Sequence, residues 1–289
     1  MDSPPVSGID LNAELSARGL GFATPEALGA LDADERALSV IMVQDAFTSF
    51  NETRLVLDVL DLMTALGTRP WLAPFLPNGK PLHVHGFLGA FGRAAARNAA
   101  MLRELADTGI SLVGIDPSMT LTYRGEYREA GVDAPRVLLL QEWLVQRPGD
   151  APQAQGNFRL LPHCTERTNA AASPREWRAA FARHGLTLEI PAAGCCGMAG
   201  TYGHEAEHRA LSERLFRLSW AAHVADPGPE LLATGYSCRS QVKRLDHIAL
   251  RHPAQALLAA IQAGERDDQR PCRKPPEAAQ HTEETKNAA

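Results

Sequence analysis

The run SVIMV at Ser39–Val43 and the run TRLVLDVLDLMTAL at Thr53–Leu66 decide how this chain folds. The first run is short, apolar and rich in β-branched residues, which is typical of a buried strand. The second places its apolar residues at the spacing of one helix face. Gly67 follows it directly, and glycine ends many helices. A buried strand that leads into an amphipathic helix is the repeating unit of parallel α/β proteins.

The same alternation of strand and helix continues along the chain. The pattern predicts further strands at Trp71–Leu76, Ile110–Ile115, Arg136–Leu140, Phe158–Leu161, Leu186–Ile190 and Leu231–Thr234. It predicts further helices at Phe87–Ala106, Pro174–Arg183, Glu205–Ala222 and Ser240–Leu250. Strands that alternate with helices form parallel sheets through right-handed βαβ connections. We therefore predict an α/β fold with parallel sheets.

Three landmarks indicate an internal duplication. Phe47-Thr48 falls opposite Cys164-Thr165, 117 residues later, and Asn78-Gly79 falls opposite Cys196-Gly197, 118 residues later. Asp116 falls opposite Gly235, 119 residues later. Because the three offsets are nearly equal, we expect two similar lobes that are related by duplication.

The chain has 289 residues, of which 45% are hydrophobic and 22% are charged. This is enough for two modest domains or one large one. Residues 1–35 have only a weak helical pattern and are interpreted as a lead-in segment. Residues 36–150 and 151–263 are the two predicted lobes, of which the first has no cysteine. Residues 264–289 contain eleven charged residues, three prolines and no Ile, Leu, Val or Phe, so we predict a disordered tail.

Charge and hydropathy narrow the range of partners. The 29 Lys and Arg residues are interspersed with 34 Asp and Glu, for a net charge of −5, and we expect no nucleic-acid partner. No window approaches the roughly 18 apolar residues of a membrane span. The start, Met1–Pro5, has neither the basic nor the apolar region of a signal peptide. We therefore expect a cytoplasmic protein, at most peripherally associated with the inner face of the membrane.

Four of the five cysteines lie in the second half, and each follows a predicted strand: Cys164, Cys195, Cys196 and Cys238. Ligand sites in open parallel sheets form beyond the carboxyl ends of the strands, so these thiols are expected to converge. Convergent thiolates hold an iron–sulfur cluster or a tetrahedral zinc ion. Structural burial and a redox-active Cys195–Cys196 disulfide are the alternatives. The fifth thiol, Cys272, lies in the polar tail and is interpreted as idle.

Several polar residues flank these cysteines. His163 and His204 are candidates for hydrogen-bond donors to the site or for a further ligand, although a helix cap or a solvated face is the simpler role for each. Arg239 follows Cys238 directly and would place positive charge beside the thiolates, with a solvated helix face as the alternative. In the first half, polar residues follow the strands at the corresponding sheet edge, among them Asp45, Asn51 and Asp116. Helix capping by Asn51 and Asp116 is the simpler role for this edge, and binding of a small polar group or a partner is the alternative.

At these residues the sequence resembles a known family. CCGMAGTYGHE at 195–205 and TGYSCRSQVKR at 234–244 are similar to the cysteine-rich CCG domain. The heterodisulfide reductases, the iron–sulfur subunits of glycolate oxidase and anaerobic glycerol-3-phosphate dehydrogenase, and large fused FAD/iron–sulfur dehydrogenases share that domain. The resemblance is closest to the C-terminal part of bacterial D-2-hydroxyglutarate or D-lactate dehydrogenases. It extends over roughly 40–261 and includes QDAFTS at 44–49, PNGKP at 77–81 and GIDP at 114–117.

The resemblance implies an electron-transfer module, with Cys164, Cys195, Cys196 and Cys238 as cluster ligands. The family's last motif commonly has two cysteines separated by two residues, and Gly235 occupies the first of these places. A four-thiolate [4Fe–4S] cluster is therefore expected in place of the five-thiolate non-cubane cluster, with zinc as the second choice.

The FAD domain and the ferredoxin-like segment of the fused dehydrogenases have no counterpart in this sequence. We therefore expect FAD on a partner protein, an FAD-linked oxidase subunit, and electron flow to a quinone or another acceptor. A fragment of a split reading frame is the other interpretation. Two different functions also remain open: a thiol–disulfide reductase of the heterodisulfide type, and a structural module in which zinc staples the second lobe.

Overall fold

The computed structural model describes residues 4–149 and 151–268, which form two parallel sheets covered by helices. The strands are β1 Ser39–Val43, β2 Arg69–Leu72, β3 Leu112–Gly114, β4 Val137–Leu139, β5 Asn157–Leu161, β6 Thr187–Glu189 and β7 Glu230–Ala233. The strand order is β2-β1-β3-β4 in the first sheet and β6-β5-β7 in the second, and all pairs are parallel. The predicted α/β class is confirmed.

Helices cover the faces of both sheets. In the first half they are α1 Leu11–Ala17, α2 Pro25–Gly29, α3 Ala33–Leu38, α4 Ala46–Asn51, α5 Thr53–Ala65, α6 Lys80–Val84, α7 Leu88–Ala106, α8 Pro117–Thr122, α9 Glu126–Glu129 and α10 Leu140–Gln146. In the second half they are α11 Cys164–Asn169, α12 Ser173–Arg183, α13 Arg209–Ser219, α14 Ala221–Ala225, α15 Tyr236–Asp246 and α16 Pro253–Asp268. Within the described ranges, none of these helices has both the length and the apolar content to span a bilayer.

The two sheets repeat one another in strand order and in register. β1 lies between β2 and β3 as β5 lies between β6 and β7, and β4 extends only the first sheet. Ser39 pairs with Arg69, and Asn157 pairs with Thr187, so both partners move by 118 residues between the lobes. The third strand repeats its register with an offset one residue larger. This agreement supports the predicted duplication. It also makes Ala46, the residue before Phe47, the counterpart of Cys164, because each begins the helix after the central strand.

One hydrophobic core joins the two lobes. It contains buried residues from β1 and α5 of the first lobe and from β5, α12 and α16 of the second. Leu257 and Ile261 of α16 are fully buried in it, and Gln255 Nε2 donates a hydrogen bond of 2.7 Å to Asp58 Oδ2 of α5. The last helix thus packs against the first lobe as well as its own.

The lead-in segment is more structured than predicted. In place of a weakly patterned stretch, the structure has α1, α2 and α3, whose N-caps are the side chains of Asp10, Thr24 and Asp32. Leu15 and Leu28 are buried against the first lobe. Helices of five to seven residues are too short to show a clear hydrophobic period, so their capping residues were the only local signal.

Three other predicted elements need correction. β2 ends at Leu72 and not at Leu76, because Pro74 and Pro77 have no amide hydrogen to donate to a neighbouring strand. The predicted helix Glu205–Ala222 begins only at Arg209 and is interrupted at Trp220, whose indole N–H donates to Gly194 O at 3.1 Å. The last corrected helix, predicted at Ser240–Leu250, is α15 at Tyr236–Asp246. The other predicted strands and helices are confirmed with ends that agree within two residues.

The first five residues of the predicted disordered tail, 264–268, are helical. α16 continues through Gly264, where a Cβ would lie 2.6 Å from the carbonyl oxygen of Gln153, so this glycine allows the helix to pack closely. The rest of the tail, including Cys272, lies outside the described residues.

We expect Leu257→Ala to destabilise the whole chain by about 2–5 kcal/mol, because it opens a cavity in the core that both lobes share. Urea unfolding followed by circular dichroism should show one transition that moves to lower denaturant as a unit. Leu218→Ala, at a side chain that is 85% exposed, is the matched control and should change little. Two separate transitions, of which only one moves, would contradict the shared core.

Candidate metal centre

The four cysteines of the second half come together beyond the carboxyl ends of β5, β6 and β7. Cys164 is the first residue of α11, Cys195 and Cys196 lie in the loop after β6, and Cys238 lies in the first turn of α15. Cys195 forms side-chain hydrogen bonds with Cys164 and Cys196, and Cys196 forms one with Cys238. The sulfurs therefore form a chain in which each contacts the next. Cys196 and Cys238 are buried, whereas Cys164 and Cys195 are partly exposed.

The contacts among the thiols shift their pKa values in opposite directions. Hydrogen bonds from Cys164 and Cys196 lower the pKa of Cys195 to about 2, although burial acts to raise it. The Gly197 N–H also donates to Cys195 Sγ at 3.3 Å. The same contacts, together with burial, raise the pKa of Cys164 and of Cys196. The site thus stabilises a thiolate, the form of cysteine that binds metal.

Two helices direct their N-termini toward this site. Cys164 is at the start of α11 and Cys238 is in the first turn of α15, where the helix dipole favours negative charge. An anionic inorganic group held by thiolates suits this environment.

The spacing of the sulfurs bears on which group fits. A tetrahedral zinc with Zn–S bonds of about 2.3 Å holds its sulfurs about 3.8 Å apart. Among the described residues, the one set of three or more candidate ligands whose atoms all lie within 4.8 Å of one another is Glu205, Glu207 and His208. No three of the four described cysteine sulfurs form so tight a set. The four sulfurs therefore do not form one compact tetrahedral set, and an all-thiol donor set is the one that iron–sulfur clusters use.

The glycine-rich loop holds the Cys195-Cys196 pair against α13. Gly197 has φ +88°, and a Cβ there would lie 2.3 Å from the carbonyl oxygen of Ser212. Ser212 in turn accepts a hydrogen bond of 2.8 Å from Gln241 Nε2 of α15. The loop, α13 and α15 therefore form one packed unit around the thiols.

His163 lies beside the cysteines, but both of its ring nitrogens have protein partners. Nδ1 accepts the N–H of Thr165 at 3.2 Å and thereby caps α11, and Nε2 lies 3.2 Å from Ser237 Oγ. A Cβ at position 235 would lie 2.3 Å from the His163 ring and 3.2 Å from Cys238 Sγ. The imidazole thus fills the space that a side chain at Gly235 would need, next to Cys238.

Arg239 is buried and bridges the two lobes. Its Nη1 donates to the carbonyl oxygens of Ala233 and Thr234 at 2.9 and 2.8 Å, and its Nε donates to Glu52 Oε1 of the first lobe at 3.0 Å. The predicted positive charge is therefore present next to Cys238, and Glu52 balances it. The other predicted neighbour, His204, is buried against α15 with Nε2 3.3 Å from Ser240 Oγ.

The chain is similar to part of the bacterial D-2-hydroxyglutarate dehydrogenases. It is 52% identical over 265 residues to the D-2-hydroxyglutarate dehydrogenase of Pseudomonas putida, which covers 91% of this chain and 26% of that protein. It is 42% identical over 268 residues to that of Escherichia coli, which covers 90% of this chain and 26% of that protein. The chain thus spans about a quarter of the length of these relatives.

A further relative is a separate subunit of another dehydrogenase. Over 242 residues, 77% of this chain and 59% of that protein, the chain is 25% identical to one subunit of the anaerobic glycerol-3-phosphate dehydrogenase of Escherichia coli. No protein-family model matches the chain.

The sequence patterns did not identify Glu166 of α11, which forms hydrogen bonds with residues of both lobes next to the site. This fully buried carboxylate accepts hydrogen bonds from Trp177 Nε1 at 2.9 Å and from Gln141 Nε2 of the first lobe at 3.2 Å, and it also bonds Ser173 and Thr234. Burial raises the pKa of Glu166. The capping-box spacing between His163 and Glu166 was the local signal that could have identified it.

The corresponding edge of the first lobe is filled by other side chains. Asn78 and Met119 occupy the positions equivalent to Cys196 and Cys238, and Asn78 Nδ2 lies 3.9 Å from Met119 Sδ. Asp116 caps α8 as predicted, but α4 is capped by Asp45 and not by Asn51. Asn51 is the last residue of α4, and its Nδ2 donates to the carbonyl oxygen of Pro5 at 2.9 Å. Burial and the neighbouring charge of Asp116 raise the pKa of Asp45 to about 7.

We expect Gly197→Ala to destabilise the chain by about 3 kcal/mol or more, because a methyl group there meets a backbone carbonyl in addition to the strain of a positive φ. Gly200→Ala is the control: Gly200 has φ +69° and open space, so the cost should be limited to ~1 kcal/mol of strain. Urea unfolding of both variants measures the difference. Equal destabilisation would show that contact with Ser212 does not matter.

We expect Asp45→Asn to change the pH dependence of stability. An unfolded Asp ionises near pH 4, whereas folded Asp45 ionises near 7, so the native chain loses stability as pH rises between these values. The variant does not lose stability in this way. Its free energy of unfolding should therefore rise relative to that of the parent by about 1–4 kcal/mol between pH 5 and 8. Urea unfolding at several pH values checks this, and a difference that is constant with pH would contradict it.

Proposed function

We propose that this chain is an iron–sulfur electron-transfer module of the CCG type, in which Cys164, Cys195, Cys196 and Cys238 hold one [4Fe–4S] cluster. The observation that carries the proposal is the contact chain of four thiols at one sheet edge. Four thiolates are the usual ligand set of a cubane cluster. With glycine at position 235, the chain supplies four cysteines here and not five.

The relatives support a role beside a dehydrogenase. The chain is similar to about a quarter of the length of D-2-hydroxyglutarate dehydrogenases and to a subunit of a glycerol-3-phosphate dehydrogenase. We infer that it works with an FAD-linked D-2-hydroxyacid dehydrogenase, whether as a separate subunit or as part of a longer chain. The flavin then lies on the partner, and the cluster passes its electrons to a quinone or another acceptor. The setting we propose is cytoplasmic, with at most peripheral contact with the inner face of the membrane.

The residues of this chain would assist electron transfer in distinct ways. A bound cluster supplies one-electron chemistry. The helix starts at Cys164 and Cys238 would stabilise its negative charge through the helix dipole, while the guanidinium of Arg239, paired with Glu52, anchors the helix that carries Cys238. Because Cys164 and Cys195 are partly exposed, a redox partner would approach the cluster from their side.

A second candidate function is a thiol–disulfide reductase. The lowered pKa of Cys195 and its partial exposure are features of an attacking thiolate, and Cys164 is in position to resolve a mixed disulfide. In that case Cys195 attacks a substrate disulfide and releases one thiol. Cys164 then releases the second thiol and forms a Cys164–Cys195 disulfide, which an external dithiol must reduce. The zinc-stapled module fits less well, because no three of the four described cysteine sulfurs form the compact set that a tetrahedral ion needs.

We expect the full chain, purified without oxygen, to contain about four irons and four sulfides and to give a cluster EPR signal after reduction. Cys196→Ser and Cys238→Ser should lose most of the iron, because each removes a buried ligand. Cys272→Ser, outside the four-cysteine group, should retain it.

Two results would reject the cluster. One is a parent chain that contains zinc or no metal. The other is a Cys272→Ser chain that loses as much iron as the ligand variants do. Turnover of a small disulfide with an external dithiol, abolished by Cys195→Ser and independent of iron, would favour the reductase.

A further inference from the structure

The first turn of α15 carries Cys238, and residues of the cysteine-free lobe surround this turn. Helix N-termini have unpaired amide groups, which are usually satisfied by the side chain of the N-cap residue. The N-cap of α15 is Gly235, which has no side chain to offer. A larger residue cannot replace it, because a Cβ at this position would lie 2.3 Å from the His163 ring.

Asp116 of the first lobe supplies the missing cap. Its Oδ1 accepts the N–H groups of Ser118 and Met119 at 2.9 and 3.1 Å, and so caps its own helix α8. Its Oδ2 accepts the N–H of Tyr236, the first residue of α15, at 2.8 Å. One buried carboxylate therefore caps two helices, one in each lobe.

Two further contacts hold the same turn. The ring of Phe47, in the first turn of α4, stacks on the Tyr236 ring with centroids 4.7 Å apart and planes 13° apart. Glu52 pairs with Arg239, the residue after Cys238. The amide, the ring and the charge that flank Cys238 thus each have a partner in the first lobe.

We propose that the cysteine-free lobe positions Cys238 for metal binding, with Asp116 as the principal positioning residue and Phe47 and Glu52 as its supports. None of the three touches a cysteine sulfur in this arrangement; each acts through the backbone or side chains of α15. The proposal rests on the proposed cluster site for its function, but the positioning itself is a property of the folded chain. It gives the first lobe a role at a site to which it contributes no ligand.

Asp116→Asn should keep the cap of α8 and remove the cap of α15. The amide oxygen can still accept from Ser118 and Met119, but the amide nitrogen is a donor and cannot accept the Tyr236 N–H. Asp45→Asn is the matched control, because Asp45 is a buried N-cap at the same sheet edge whose oxygens bond only Phe47 and Thr48 of its own helix. Both variants replace one buried carboxylate by an amide.

The test is the rate at which N-ethylmaleimide labels Cys238, which is 1% exposed in the folded chain. The full chain is labelled as purified without oxygen and again after iron removal, and the peptides are quantified by mass spectrometry. In Asp116→Asn we expect Cys238 to react about fivefold faster, the factor that corresponds to a lost cap of ~1 kcal/mol. Cys196, 3% exposed but held by the glycine loop, should keep its parent rate, and Asp45→Asn should change neither cysteine.

Three results overturn the proposal: unchanged labelling of Cys238, equal acceleration of Cys196 and Cys238, or the same acceleration in Asp45→Asn. If Asp116→Asn does not fold, Glu52→Gln provides the same comparison, because it removes the charge that pairs with Arg239. An unchanged Cys238 rate in that variant also overturns the proposal. A chain that never holds iron would reject the cluster, yet the labelling ratio in the metal-free chain would still decide whether the first lobe positions Cys238.

Discussion

The parallel alignment of β5, β6 and β7 is the constraint on which the site depends. Because the three strands point the same way, the segments that follow them meet at one edge, and cysteines far apart in sequence come into contact there. An antiparallel pairing of any one strand would send its cysteine to the opposite edge. The strand direction brings the cysteines to this edge, and the starts of α11 and α15 and the glycine-rich loop then determine their positions within it.

The two lobes share one backbone arrangement but carry different side chains at the equivalent sheet edges. Strand order, register and helix starts repeat, but the equivalent edges hold thiols in the second lobe and amide, carboxyl and thioether groups in the first. The first edge packs against the second through Asp116, Phe47 and Glu52. We infer that the lobe without ligands keeps its fold because the other lobe needs its surface.

Local patterns in the sequence predicted much of this arrangement. Hydrophobic periodicity indicated the strands and long helices, and the spacing of cysteines after strands indicated their convergence. Local patterns failed where partners are distant in sequence. The start of α15 depends on Asp116, 120 residues away, and Arg239 pairs with Glu52, 187 residues away. Glu166 has a local signal in its capping-box spacing from His163, but its link to Gln141 of the first lobe could not be predicted from a short window. The short helices before β1 are stabilised by packing, which no short window reveals.

In the function we propose, four cysteines of one lobe share a single iron–sulfur cluster. Crystals of the full chain grown without oxygen, with diffraction measured above and below the iron absorption edge, test it most directly. We predict anomalous density for a multi-iron cluster in contact with the sulfurs of Cys164, Cys195, Cys196 and Cys238. A single compact peak at the zinc edge, or iron bound without Cys238, would contradict it.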